Sequence, residues 1–315
     1  MIEPVLHHVI CPGLGGHPAT GAAHAKSEVP SHRMAFWQWG DTGNPHVVVC
    51  AHGLSRQGRD FGTLAAALAP HARVVCPDVV GRGQSDRLDD PQGYQIPTYA
   101  GDMLAMLGQL HATSPITSLD WVGTSMGGLI GMVLAGQPGL PLPMPVRKLV
   151  LNDVGPAIQW QALQRIGTYL GQTGRFESLQ QAADAMWAVS TSFGPHTPAQ
   201  WLELSRHMVR RLRNDAADGA LTLHYDPAIA QPFGTLTEEQ ALQGEAALWQ
   251  LYDRIDADTL LLRGADSDLL SHATAQAMAE RGPRARLVEF AGVGHAPTLV
   301  AADQLRAVTS FLLGG

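Results

Sequence analysis

Six short apolar runs punctuate the chain: HVVVCAHG at 46–53, ARVVCPD at 72–78, LDWVG at 119–123, KLVLND at 148–153, TLLLRG at 259–264 and ARLVEF at 285–290. They are rich in β-branched residues and lack polar alternation, the pattern of strands buried on both faces of a parallel sheet. Helix-length stretches such as DFGTLAAALAP, TYAGDMLAMLGQL and MGGLIGMVLAGQP separate them. This rhythm predicts an α/β fold with a mostly parallel central sheet flanked by helices. FWQWG at 36–40, followed by the turn-rich DTGNP, predicts an antiparallel hairpin entering that sheet.

Between Gly155 and Tyr252 the rhythm stops. Leu179, Ala182, Ala183, Met186 and Trp187 share one helical face, and Trp201, Leu204, Met208 and Leu212 another. The spacing predicts an all-helical cap over residues 155–252, inserted into a core formed by 32–154 and 253–315. The cap holds 10 of the 19 aromatic residues, so Trp160, Trp187 and Trp201 are expected to wall a substrate pocket. The arginines Arg206, Arg210, Arg211 and Arg213 read as a solvated helix face. Residues 1–31 are rich in Gly, Pro, Ala and His without periodicity and read as a loose N-terminal arm. Its histidines His7, His8, His17 and His24 are too irregularly spaced for a metal site.

Composition narrows the class. Hydrophobic residues at 45% against charged residues at 16% supply a large core and exclude a disordered chain. A net charge of -7 is the wrong sign for a nucleic-acid partner. Cys11, Cys50 and Cys76 show no CxxC spacing, which fits neither a disulfide framework nor a zinc site. With no export-type N-terminus and no membrane-length apolar window, a cytoplasmic, soluble protein without a membrane partner is expected.

The strongest chemical signal is Gly123-Thr124-Ser125-Met126-Gly127-Gly128, directly after a predicted strand and before a predicted helix. G-x-S-x-G in that setting is a nucleophile elbow, which lifts Ser125 above the sheet and aims the helix N-terminus at it. A serine hydroxyl needs a base, and His295, in the glycine-bearing loop GVGHAPTL after a predicted strand, is the candidate. The base needs an orienting carboxylate. After TLLLRG comes Ala265-Asp266-Ser267-Asp268-Leu269-Leu270, which puts two carboxylates at the carboxyl end of a strand, and Ser125, Asp268 and His295 follow one another in the chain order Ser, acid, His. Asp153 also follows a predicted strand, in LNDVGP. The backbone N–H groups of Met126 and of Leu54, in His52-Gly53-Leu54-Ser55, are the expected oxyanion donors.

In these motifs the chain resembles the α/β-hydrolase fold superfamily, in its capped serine hydrolase branch. The HG loop at His52-Gly53, the segment Asp78-Val79-Val80-Gly81-Arg82-Gly83-Gln84-Ser85, the elbow, the RGADSDLL loop and the GVGHAPTL loop follow the family's order from about residue 34 to 313. The resemblance implies that Asp78 and Ser85 are architectural. It also implies that Thr124, where many relatives carry His, leaves the triad intact, and that the acid is Asp268, which like the family's acid directly precedes an apolar pair, with Asp266 bracing the turn and Asp153, after the earlier strand as in some relatives, the second choice. It further implies a carboxylic ester, thioester or lactone hydrolase acting on a small-molecule ester substrate without metal or organic cofactor. The alternatives are a C–C bond hydrolase of vinylogous diketones, perhydrolysis or acyl transfer, and a catalytically silent ligand-binding homologue.

Overall fold

Each of the six apolar runs becomes a strand; five have side chains buried on both faces, whereas the last, Arg286–Phe290 at the sheet edge, buries only Phe290 fully. In the computed structural model, which describes residues 3–13, 31–212 and 219–314, they join two N-terminal strands in one sheet. In chain order the strands are β1 (Val5–Pro12), β2 (Ser31–Trp39), β3 (His46–Ala51), β4 (Arg73–Asp78), β5 (Ser118–Thr124), β6 (Val146–Asn152), the short β7 (Val209–Arg211) and β8 (Leu221–Leu223), β9 (Asp258–Gly264) and β10 (Arg286–Phe290). The main sheet has eight strands in the order β1-β2-β4-β3-β5-β6-β9-β10. Only the β1-β2 and β2-β4 pairs are antiparallel. The carboxyl ends of β3, β5, β6 and β9 therefore lie side by side, where sites in such sheets collect.

Helices α1 (Gly62–Leu68), α2 (Ile96–Thr113) and α3 (Met126–Gly136) connect core strands. The cap carries α4 (Trp160–Tyr169), α5 (Leu179–Ala188), α6 (Pro198–Arg206), α7 (Ala230–Gly234) and α8 (Glu238–Tyr252), and α9 (His272–Glu280) and α10 (Ala302–Leu313) complete the chain. One face of the sheet packs Met103, Leu107, Trp121 and Ile130 into the larger apolar cluster. The other packs Leu64, Leu68, Val308 and Leu312 from α1 and α10 against Val48, Val74, Val122 and Val150.

Four expectations need correction. The N-terminal arm is not loose throughout: Val5–Pro12 pairs along its whole length with β2, burying Val9 and Cys11 while Val5 and Ile10 stay outside. His7 and His8 lie in that strand, with the His7 ring stacked on Phe36 at 5.3 Å, whereas His17 and His24 lie outside the described residues. The turn at DTGNP does not close a hairpin, because β4 lies between β2 and β3. The cap is not all helical. Helix α6 stops at Arg206, and Met208 to Leu212 turn into the β7-β8 ribbon, which places Arg210 and Arg211 on a strand; Arg213 is outside the described residues. The fourth correction concerns the aromatics. Trp201 is buried, its ring meets that of Trp187 edge-on with centroids 4.9 Å apart, and its indole N–H donates to the Ala183 carbonyl at 2.8 Å. Together with Ala182, Met186 and Leu204 they form the cap's own core.

Candidate active site

At the end of β5 the chain must turn sharply into α3. Ser125 takes φ 52 and ψ -118, a strained conformation held by the close approach of the elements around it. A Cβ on Gly123 would stand 2.3 Å from the Gly127 carbonyl oxygen, and one on Gly127 2.0 Å from that of Ala51. Both positions therefore require glycine. Ser125 Oγ lies 3.1 Å from His295 Nε2, and His295 Nδ1–H donates to Asp153 Oδ2 at 2.7 Å.

The carboxylate at the histidine is thus Asp153, and the placement of the acid at Asp268 is corrected. Asp153 is fully buried and adopts φ 56 just after β6. Three donors offset the cost of burying its charge: His295, the Gly264 N–H at 2.8 Å and the Ser267 hydroxyl at 2.6 Å. Asp268 points elsewhere, into a bidentate pair with Arg165 of α4 at 2.7 and 3.0 Å, with both side chains roughly half exposed. The expected acid loop still serves the site, through Ser267, whose Oγ also accepts from the Leu269 and Leu270 N–H groups. Asp266 is exposed, and its backbone N–H donates to the Val293 carbonyl.

Several neighbours fix these groups. Asn152 Nδ2 donates to Thr124 Oγ1 at 2.9 Å and to the Pro297 carbonyl at 2.8 Å, joining the elbow to the histidine loop. From the cap, Ser192 Oγ donates to the His295 carbonyl at 3.0 Å. Sequence patterns gave no signal for Asn152, Ser192 or Ser267, because each acts through a contact more than a hundred residues away or through a loop conformation. His52 is buried, and burial pushes its imidazole down to about 3. In its neutral form Nδ1–H donates to the Gly53 carbonyl at 2.7 Å while Nε2 accepts from the Val79 N–H at 2.9 Å, which stiffens the loop carrying Leu54. Asp78 accepts from the Gly58 and Gln84 N–H groups, and Ser85 Oγ donates to the Asp78 carbonyl, so both hold the turn in which they lie.

Leu54 and Met126 flank Ser125 at a cleft of two lobes. Met126 N–H opens α3 and has no carbonyl one turn earlier in its own helix. The smaller lobe, about 340 Å³, includes His295, Arg165, Tyr169, Gln172 and Ser190. The larger, about 680 Å³, includes Met126, Leu129, Leu163, Phe233 and Leu248. Ser125, Leu54 and Ile166 border both. Trp160, Trp187 and Trp201 border neither; the lobes draw their aromatic surface from Tyr169, Phe176, Phe193 and Tyr225 on one side and Tyr94, Tyr99 and Phe233 on the other.

A strained serine after a parallel strand, in hydrogen-bond reach of a histidine braced by a buried carboxylate, is equipped for acyl transfer. The chain belongs to the alpha/beta hydrolase fold family, whose model matches residues 46–302, and it is a hydrolase of the esterase type. It is 46% identical over 302 residues to the 3-hydroxybutyrate-oligomer hydrolase of Cupriavidus necator, covering 96% of this chain and 100% of that protein. It is 26% identical to a pimeloyl-[acyl-carrier protein] methyl ester esterase of Xanthomonas oryzae pv. oryzae, covering 84% of this chain and 93% of that one. The crystal structure of an alpha/beta hydrolase from Novosphingobium aromaticivorans superposes with a TM-score of 0.78 at 34% identity, covering 99% of both chains. No helix among the described residues is long and apolar enough to cross a membrane.

Proposed function

We propose that this protein is a serine esterase that hydrolyses short linear oligoesters of 3-hydroxy acids through an acyl-enzyme on Ser125. The Ser125–His295–Asp153 relay at the junction of two lobes carries the reading, and the end-to-end similarity to a 3-hydroxybutyrate-oligomer hydrolase supports the substrate class. Ser125 Oγ attacks the ester carbonyl as His295 Nε2 takes its proton, and Asp153 holds the resulting imidazolium. The Leu54 and Met126 N–H groups receive the developing oxyanion. His295 then protonates the departing alkoxide, and water repeats the sequence to free the acid.

The position of the base orients the substrate. His295 borders only the smaller lobe, so the leaving alcohol belongs there, and the acyl part belongs in the larger, apolar lobe beside Met126. In an oligoester the carboxylate-bearing end is the alcohol component of its last ester bond. That end then lies in the lobe bordered by Arg165, Tyr169 and Gln172.

Incubation with 3-hydroxybutyrate dimer and trimer, with products followed by chromatography, tests the reading. Release of monomer that disappears in Ser125→Ala is expected. Turnover of simple p-nitrophenyl esters without attack on either oligomer overturns the substrate class, and activity surviving in Ser125→Ala overturns the mechanism.

A further inference from the structure

The turn at Gly81-Arg82-Gly83, between the architectural Asp78 and Ser85, carries a feature that architecture does not need. Arg82 is 1% exposed, yet among the described residues no carboxylate lies within 4.0 Å of its guanidinium. Its partners are all uncharged. Nε–H donates to the Leu54 carbonyl at 2.8 Å, Nη1 donates to the Val80 carbonyl at 2.7 Å and the Tyr99 hydroxyl at 3.1 Å, and Nη2 meets Met126 Sδ at 3.5 Å. The rings of Tyr99 and Tyr94 lie 5.0 and 5.8 Å from the guanidinium carbon.

Burying a cation without an anion is costly even when its N–H groups are satisfied. A neutral hydrogen-bonding side chain could brace the same loop at lower cost. Two of the four bonded residues, Leu54 and Met126, border the cleft at Ser125 and carry the oxyanion donors of the proposed function. The guanidinium borders neither lobe, so it acts on an oxyanion forming there through these two residues and through the field of a buried charge.

We propose that Arg82 is a positioning residue for the oxyanion site: it fixes Leu54 and Met126 from behind, and its charge favours the tetrahedral state over the bound ester. The inference rests on Ser125 as nucleophile. The same turn is clamped to the cap, because the Gly83 N–H donates to the His224 carbonyl at 3.0 Å and the Asp226 N–H to the Gly81 carbonyl at 2.7 Å. Cap and oxyanion site thus share one support.

Arg82→Met and Arg82→Lys are compared with the parent protein on p-nitrophenyl butyrate, with competent sites counted by fluorophosphonate labelling. Butylboronic acid, which forms a tetrahedral adduct with a nucleophilic serine, serves as the second readout. In Arg82→Met, kcat per competent site is expected to fall about 10²-fold, the scale of a lost oxyanion donor, with KM within about threefold. The boronate inhibition constant should rise by a similar factor, and Lys should recover at least about tenfold of both. An unchanged kcat, a kcat loss with unchanged boronate affinity, or no recovery by Lys overturns the proposal. If Arg82→Met does not fold, Tyr99→Phe and Met126→Leu each remove one acceptor and keep the charge. Joint shifts of about 3- to 10-fold in kcat and boronate affinity are then expected, and no shift in either variant overturns it. A parent protein that hydrolyses no ester and binds no boronate refutes the esterase reading itself, which is a distinct result.

Discussion

Replacing Asp153 by Asn keeps the size and shape of the side chain and removes its charge. The amide oxygen still accepts from the Gly264 N–H, and the Ser267 hydroxyl can rotate to accept from the amide nitrogen, so about 1–3 kcal/mol of stability is at stake. The effect on catalysis is larger because of the tautomer. Asp153 Oδ2 accepts from His295 Nδ1, which leaves Nε2 unprotonated toward Ser125 at 3.1 Å. An Asn amide nitrogen in that place donates to Nδ1 and drives the proton to Nε2, where it cannot take the serine proton. The same change in serine proteases costs about 10⁴-fold in kcat, or roughly 5 kcal/mol of transition-state stabilisation. Asp268→Asn removes only a partly exposed pair with Arg165, worth about 1 kcal/mol at most, and so changes kcat/KM by no more than about fivefold. Steady-state hydrolysis of p-nitrophenyl butyrate, with thermal unfolding to certify the fold, separates the two variants. A folded Asp268→Asn that is inactive beside an active Asp153→Asn refutes the geometry, and two active variants show that His295 works without a carboxylate.

Ser125→Ala and His295→Ala should each lose about 10³-fold or more in kcat, with the double variant little worse than either; additive losses would show that the two do not act as a unit. Leu163→Trp, which intrudes on the larger lobe, should lower kcat/KM for long acyl chains at least about tenfold while acetate esters are spared, and equal losses on all esters would place the acyl chain elsewhere. Trp201→Ala should cost about 3–5 kcal/mol in unfolding experiments, since it opens the cap's core; a stable variant with altered acyl preference would return Trp201 to the pocket wall. His52 is held near 3 in the fold against an ordinary value of about 6.5, so the native state binds fewer protons than the unfolded chain between these limits. Its contribution is present above pH 6.5 and is lost as pH falls toward 3, so the stability deficit of His52→Asn should shrink by up to about 1.4 kcal/mol per pH unit below 6.5; equal deficits in urea at pH 5 and 7.5 would contradict it.

The parts of the molecule that were legible in the sequence are those where one local property decides the outcome. Five strands buried on both faces leave no freedom in the pattern, and these five and the edge strand β10 all lie within a residue or two of their apolar runs. Ser125 and His295 were legible because glycines fix the shape of the chain around them. The N-terminal strand was hidden by its own composition: His7, His8 and the flanking prolines mask an alternation that only Val9 and Cys11 complete by burial. In the cap, Trp201 and Met208 fit one helical face, but the helix ends at Arg206 because residues 209–211 pair with 221–223. That pairing depends on a partner about ten residues further along the chain, which helical periodicity does not register. Abundance alone points the cap's tryptophans at a pocket, whereas a mini-domain this small must first spend its largest apolar rings on a core of its own.

The misplaced acid has a more specific origin. Strands β6 and β9 are neighbours in register, Asn152 opposite Leu262, so the residues that follow them emerge side by side at the same edge. Either loop can present a carboxylate to a histidine arriving after β10, and nothing in LNDVGP or RGADSDLL alone says which one does. The decision is made by backbone conformation and donors: φ 56 at Asp153 turns its side chain inward, and Gly264 and Ser267, both from the competing loop, converge on it. Asp268, one residue beyond Ser267, faces the cap and is taken by Arg165. The loop after β9 therefore keeps its place at the site while changing its part, from supplying the acid to bracing it. It follows that the identity of residue 267 matters more than that of residue 268, because loss of the Ser267 hydroxyl would leave a fully buried carboxylate one donor short and the histidine less firmly aimed at Ser125.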